Sequence, residues 1–251
     1  MDRSKYTTIS HRGLVYASPI SVTKMESVIE MLDLPAGAKV LDVGAGKAEL
    51  SIRLIERYGA QATALERAAE FVAEAKAQAA SRVPAGSLSV DETDASAYTV
   101  DPGSLDLAIC IGATEIHGGY AATLSAAAQR VRPGGRILVG EGYWKREPAP
   151  EYLTAIGGTR EEFTNHAANV AAGQALGLLP LHALVASEDD WDDYEWRHAR
   201  AVECWAEEHP GDPDRVALVT RIRSWRDAYL RWGRDTLGFG LYLFERMPRA
   251  G

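Results

Sequence analysis

The sequence predicts an α/β fold: a three-layer arrangement around a mostly parallel sheet with an antiparallel last strand, and a helical cap inserted before that strand. Three observations carry this expectation. Short apolar runs of strand length alternate with helical patterns between residues 39 and 186, the order that puts helices on both faces of a parallel sheet. The first run ends in a glycine turn, Gly44-Ala45-Gly46. A long, aromatic and helix-patterned stretch, residues 187–236, separates the sixth run from a final one.

The elements follow in order. Val22 to Leu32 is amphipathic, and Lys39 to Val43 is a short strand before the glycine turn. The helix after it carries Leu50, Ile52, Leu54 and Ile55. Gln61 to Leu65 is a second strand ending at Glu66, Ala68 to Ala80 a helix, and Ser87 to Val90 a third strand. Leu105 to Ile111 reads as a buried strand, Tyr120 to Val131 as a helix, and Arg132-Pro133-Gly134-Gly135 as a turn feeding a strand over Arg136 to Gly140. Glu161 to Gly177 has a helical pattern and Leu178 to Ala186 is a sixth strand. The last strand, Phe239 to Phe244, is expected antiparallel at the sheet edge. The expected organisation is an N-terminal helical lid segment (1–35), a core (36–186), the cap (187–236) and the final core strand (237–251).

Composition narrows the class. The 251 residues are 46% hydrophobic and 25% charged, as for one large globular unit. The opening residues lack a signal-peptide run and no stretch reaches the roughly 18 apolar residues of a membrane span, so the expectation is a cytoplasmic protein without a membrane partner. A formal net charge of −8 argues against nucleic acid as partner. The two cysteines, Cys110 and Cys204, are not spaced for metal or redox work, and no His/Cys/Asp/Glu set has ligand spacing, so no metal is expected.

Ligands of open parallel sheets bind beyond the carboxyl ends of the strands. Gly44 and Gly46 let backbone approach a ligand closely. Asp42 can orient the turn or accept from an ammonium group, Glu66 can accept from ribose hydroxyls, and Asp94 can receive the exocyclic amine of adenine. A dinucleotide site continues to a third glycine, where this chain has Glu49. The acidic turn suits a positively charged ligand instead. Residues 38–143 resemble the class I S-adenosylmethionine-dependent methyltransferases, with their Rossmann-like sheet. The resemblance rests on Val40-Leu41-Asp42-Val43-Gly44-Ala45-Gly46, Glu66, Asp94-Ala95, the strand Leu105 to Ile111 with Gly112 behind it, and Arg132-Pro133-Gly134-Gly135. It implies S-adenosyl-L-methionine as cofactor and S-adenosyl-L-homocysteine as product. By carry-over, Asp42, Gly44 and Gly46 hold the methionine part, Glu66 the ribose, Asp94 and Ala95 the adenine, and Ile111 and Gly112 line the sulfur side. Ala48 stands where many relatives of that family have glycine.

Methyl transfer needs alignment and water exclusion, and a base only when the nucleophile carries a tightly held proton. No D/N-P-P-Y/F motif of nucleobase methylation follows the fourth strand. Glu115 and His117 stand there; His117 is the candidate base, with a helix-cap or surface role as its plain alternative. Glu141, Tyr143 and Trp144 after the fifth strand are candidate contacts to a small-molecule acceptor, and His11 and Tyr16 candidate lid residues. In the cap, Trp191, Tyr194, His198, Val202 and Trp205 share a helix face. That face is expected to pack mainly on itself, to offer the acceptor one or two rings such as Tyr194 and His198, and to be removable without loss of cofactor binding. Two rivals are a catalytically silent cofactor-binding regulator and a nicotinamide-dependent oxidoreductase. Intact Asp42, Glu66 and Asp94 oppose the first, and the missing third glycine the second.

Overall fold

The computed structural model describes residues 3–248; residues 1–2 and 249–251 of the expected N-terminal segment and final strand lie outside them. The strands are β1 (Lys39–Val43), β2 (Gln61–Glu66), β3 (Leu88–Glu92), β4 (Leu105–Ile111), β5 (Val131–Trp144), β6 (Leu178–Val185) and β7 (Leu237–Arg246). The helices of seven residues or more are α1 (Arg3–His11), α2 (Val22–Leu32), α3 (Glu49–Tyr58), α4 (Ala69–Arg82), α5 (Tyr120–Arg130), α6 (Pro150–Ile156), α7 (His166–Ala175), α8 (Glu188–Glu208) and α9 (Arg215–Ala228). One seven-stranded sheet runs β3-β2-β1-β4-β5-β7-β6. Strands β1 to β5 are parallel to their neighbours, and β7 is antiparallel to both β5 and β6.

The last strand is therefore not at the edge, as the sequence suggested, but wedged between β5 and β6. Its burial explains the placement: Phe239 and Leu241 through Phe244 are all below a tenth exposed, and a strand apolar on both faces needs cover on both. The half-exposed β6, with Leu179, Leu181 and Val185 at the surface, takes the edge. A second correction concerns β5, which starts at Val131 and runs on to Trp144, so Glu141 to Trp144 lie in the strand. Of its glycines, Gly135 is expected in a turn and Gly140 at the end of the strand, yet β5 runs through Gly135, Gly140 and Gly142. Here they admit neighbours instead: an added Cβ would stand 2.4 Å from Val131, 2.7 Å from Ile111 and 2.8 Å from Phe163, respectively. The helical pattern of residues 161–177 resolves into a short 3-10 turn at Arg160–Glu162 and α7.

Two apolar layers sandwich the sheet. One packs Met25, Val28, Ile29 and Leu32 of α2 with Leu50 and Leu54 of α3 against Val40, Leu107, Ile109 and Leu138. The other packs Leu124 and Ala127 of α5 against Leu41, Cys110, Val139 and Phe244. The insertion between β6 and β7 joins the first layer through Trp191 and Tyr229. Helix α1 does not stay with α2. It forms a small three-helix cluster with α8 and α9, where Tyr6 and Ile9 meet Val202, Trp205, Leu218 and Ile222, and Lys5 bonds Asp212 and Asp214 at 2.8 and 2.9 Å. A strap, residues 12–21, returns from this cluster to α2 across the carboxyl end of β1.

Candidate functional site

The turn after β1 has three left-handed residues: Gly44 at φ +69°, Gly46 at +56° and Ala48 at +55°. Gly44 is obligatory twice over, since a Cβ there would also lie 2.5 Å from Ala113. Around Gly46 no atom lies within 4 Å of the position a Cβ would fill, so the turn presents bare backbone to open space. The turn is fixed from β2: Leu65 O accepts from Gly44 N and Ala45 N at 2.9 and 3.1 Å, and Glu66 Oε2 accepts from Gly46 N at 2.9 Å. The other oxygen of Glu66 accepts from Arg67 N and Ala68 N at the start of α4.

Beside this turn lies a cavity that is open to solvent on one side. Asp42, Gly44, Gly46 and Ile111 form its floor, Glu49, Leu50 and Phe71 its side, and His11, Tyr16 and Ser18 of the N-terminal segment its roof. Asp42 is buried and accepts from Ser51 Oγ at 2.8 Å; burial pushes its carboxyl up to about 6. Among the described residues Tyr16 Oη and Ser18 Oγ are buried without a hydrogen-bond partner, a condition that calls for a ligand or water. The bare turn, the buried carboxylate and the two orphan hydroxyls fit a polar, amino-acid-bearing ligand.

The remaining candidates are spread more widely. Asp94 is exposed and caps a short turn, its Oδ1 accepting from Ser96 N at 2.9 Å, which holds its carboxyl below the usual range; Ala95 is buried beside it. Gly112 is left-handed and donates to Gly140 O at 2.9 Å. Glu115 is exposed. His117 sits on the α5 side of the sheet, its Nε2 3.2 Å from Arg130 Nη1 and its Nδ1 buried without partner; burial and the Arg130 charge hold its pKa down. Glu141 accepts from Thr114 Oγ1 and from Gly142 N, and burial raises its carboxyl. The Tyr143 ring lies 5.3 Å from His166. Trp144 packs against Phe163 at 5.2 Å and Tyr152 at 6.3 Å, with Nε1 donating to Arg160 O.

The lid and cap candidates meet each other. His11 Nδ1 lies 2.8 Å from Thr7 O, so in the neutral ring it donates there and Nε2 accepts from Tyr194 Oη at 2.9 Å. His198 stands behind, its ring 4.9 Å from His11 and 5.8 Å from Tyr194; both nitrogens are buried without a hydrogen-bond partner among the described residues, and Nδ1 lies 3.9 Å from Glu195 Oε2. His11 thus lines the cavity and His198 supports it from the α1–α8 seam. Sequence reasoning missed Ser51, Thr114, Ser18, Phe71 and Lys47. Lys47 alone had a local signal, its place inside the glycine turn.

Residues 40–135 match the family model described as a methyltransferase domain. The chain is 29% identical to a crystal structure of a SAM-dependent methyltransferase from Geobacter sulfurreducens in complex with S-adenosyl-L-homocysteine, with TM-score 0.90 and 98% of each chain covered. Residues 40–135 thus carry a methyltransferase domain, and the fold is that of the class I S-adenosylmethionine-dependent methyltransferases. A second SAM-dependent methyltransferase with S-adenosyl-L-homocysteine, from Thiobacillus denitrificans, is 28% identical with TM-score 0.89, covering 97% of this methyltransferase and 99% of that chain. Escherichia coli YjhP is 27% identical over 244 residues, 96% of this methyltransferase and 98% of its own length, and its crystal structure has TM-score 0.89. The methyltransferase uses S-adenosyl-L-methionine as cofactor. No helix of its described residues is long and apolar enough to cross a membrane.

Proposed function

We propose that this methyltransferase acts on a small molecule held beneath the strap and the start of α8. The observation that carries this reading is the roof itself: His11, Tyr16 and Ser18 cover the cavity, and His11 is bonded to Tyr194 of α8. A concave pocket roofed in this way suits a metabolite better than a polymer. The net charge of −8 points the same way.

In this reading Asp42 receives the methionine ammonium, the bare edges of Gly44 and Gly46 the methionine backbone, Glu66 the ribose, Asp94 and Ala95 the adenine, and Ile111 and Gly112 flank the sulfur. The bound cofactor supplies an electrophilic methyl group on a sulfonium. The protein's own part is to align the acceptor and exclude water. For an acceptor that must lose a proton we give the base role to Glu141, whose burial raises its proton affinity, rather than to His117, whose Nε2 faces a guanidinium that only donates. Glu115, Tyr143, Trp144, Tyr194 and His198 carry no proton in this reading; Tyr194 holds the roof through His11, and His198 stands behind it.

The test is methyl transfer from label-bearing S-adenosyl-L-methionine into a cell extract split by size, with and without chelator. Label is expected in the small-molecule fraction, undiminished by chelator. Label in protein or nucleic acid would overturn the acceptor class, and loss with chelator would overturn metal independence.

A further inference from the structure

The strap between α1 and α2 has no regular structure over residues 12–21; Ser18, Pro19 and Ile20 bury its second half, but in its first half only Leu14 is buried, Val15 is 47% exposed, and Arg12, Gly13 and Ala17 are exposed as well. Apolar contact alone is a weak hold on that first half. Its carbonyls are held from below by one side chain. Lys47 Nζ, projecting from the glycine turn, donates to Arg12 O at 2.8 Å and Leu14 O at 3.4 Å and pairs with Glu74 Oε1 at 3.0 Å. Its side chain is only 9% exposed, whereas Glu74 is 42% exposed. Lys47 also lines the cavity that the strap roofs.

We infer that Lys47 is a positioning residue that ties the strap to the glycine turn, so that ordering of the turn by cofactor and closure of the roof are one event. The inference rests on the reading of the cavity as the cofactor site. The three ammonium protons match the three acceptors, so Lys47 has none left for a ligand and acts through the strap. An apolar residue of equal length fills the same space but leaves two strap carbonyls without a donor. At the end of α1, where the strap begins, His11 on Tyr194 makes the tie to α8. Lys47 is thus the link between the sheet-borne turn and the helical insertion.

The experiment compares wild type, Lys47→Met and Lys47→Arg by amide hydrogen exchange and by S-adenosyl-L-homocysteine binding. In the free Lys47→Met protein, exchange of residues 12–18 is expected to rise about tenfold or more while the sheet amides keep their protection. Dissociation of S-adenosyl-L-homocysteine is expected to quicken by roughly tenfold to a hundredfold, the range for losing charge-assisted bonds, and Lys47→Arg should restore most of both. In wild type, ligand should slow strap exchange further; in Lys47→Met that response should shrink, as reciprocal coupling requires. Unchanged strap exchange in the free variant, or faster exchange spread over the whole molecule, overturns the inference. Failure of wild type to bind S-adenosyl-L-homocysteine overturns the cofactor-site reading instead, and the free-protein comparison still decides the role of Lys47.

Discussion

Asp42 is a group that the free protein holds against its own preference. Its carboxyl is raised to about 6 by burial, above the 3.8 of an exposed one, so the fold favours the protonated form. The penalty is absent below about pH 4, grows between pH 4 and 6, and above pH 6 reaches about 3 kcal/mol at most. In Asp42→Asn the carbonyl oxygen still accepts from Ser51. The ligand-free variant is therefore expected to melt higher than wild type at pH 7.5, with the gap closing by pH 4 in a series of thermal scans, while its affinity for S-adenosyl-L-homocysteine falls. Ala48 carries a different strain: a non-glycine residue at φ +55°, wholly buried at the start of α3. A left-handed L-residue costs about 1 kcal/mol, and burying its methyl returns about 0.8 kcal/mol. Ala48→Gly should then change stability by less than about 1 kcal/mol in urea denaturation. Ala48→Val, with a branched Cβ in the same conformation, should lose several times that. Asp42, Gly44, Gly46 and Glu66 were legible as neighbours because their places follow from strand ends and a turn. Lys47 and Ser18 were not, because their partners sit on a strap whose path no local pattern reveals.

At the scale of elements, α1 is decided by contacts from the far end of the chain. Its apolar residues Tyr6 and Ile9 could serve any neighbour, and the neighbours they find are α8 and α9. Periodicity reports which face of a helix is apolar and says nothing of what covers it. The seam is also where acid should act first. Burial is the main force holding His11 at about 4, helped by His198 and Lys47. A histidine whose folded pKa is depressed leaves the fold at full stability above about 6.5 and withdraws stability as pH falls toward 4, since only the unfolded chain takes up the proton. Exchange protection of α1 and the strap is expected to drop between pH 7 and 5 more than that of β1 or β4. His11→Gln should flatten this difference. A pH-independent ratio in wild type would remove His11 as its cause.

For the whole molecule, the sheet and its flanking helices were readable because each strand carries its own burial signature. The insertion was readable as helices, but its packing argues against the separable cap that the sequence suggested. Trp191 and Tyr229, 8% and 5% exposed, pack into the same apolar layer as α2, α3 and β1. Excising residues 187–236 in favour of a short loop uncovers both sides of that contact and strands α1. Fully burying one large side chain contributes about 1.5–3 kcal/mol, and a domain has only about 5–15 kcal/mol in total. The excised protein is expected to lose both cooperative unfolding in urea and S-adenosyl-L-homocysteine binding, contrary to the modular expectation. Retained binding at wild-type affinity would restore the modular view.

The position of β7 has a consequence for synthesis. Residues 39–112, which carry β1 to β4 and the floor of the cavity, leave the ribosome before the rest of the sheet, and β1, β2 and β3 find all their sheet partners within that stretch. Strand β5 has β4 on one side and an open edge on the other until residues 237–246 emerge, and β6 has no partner in the sheet before then. A nascent chain therefore passes through a long interval with a buried-type edge exposed, the state in which sheets recruit foreign strands. Edge-to-edge aggregation during translation is a hazard that comes with this strand order, and it ends only when β7 slides between two waiting neighbours.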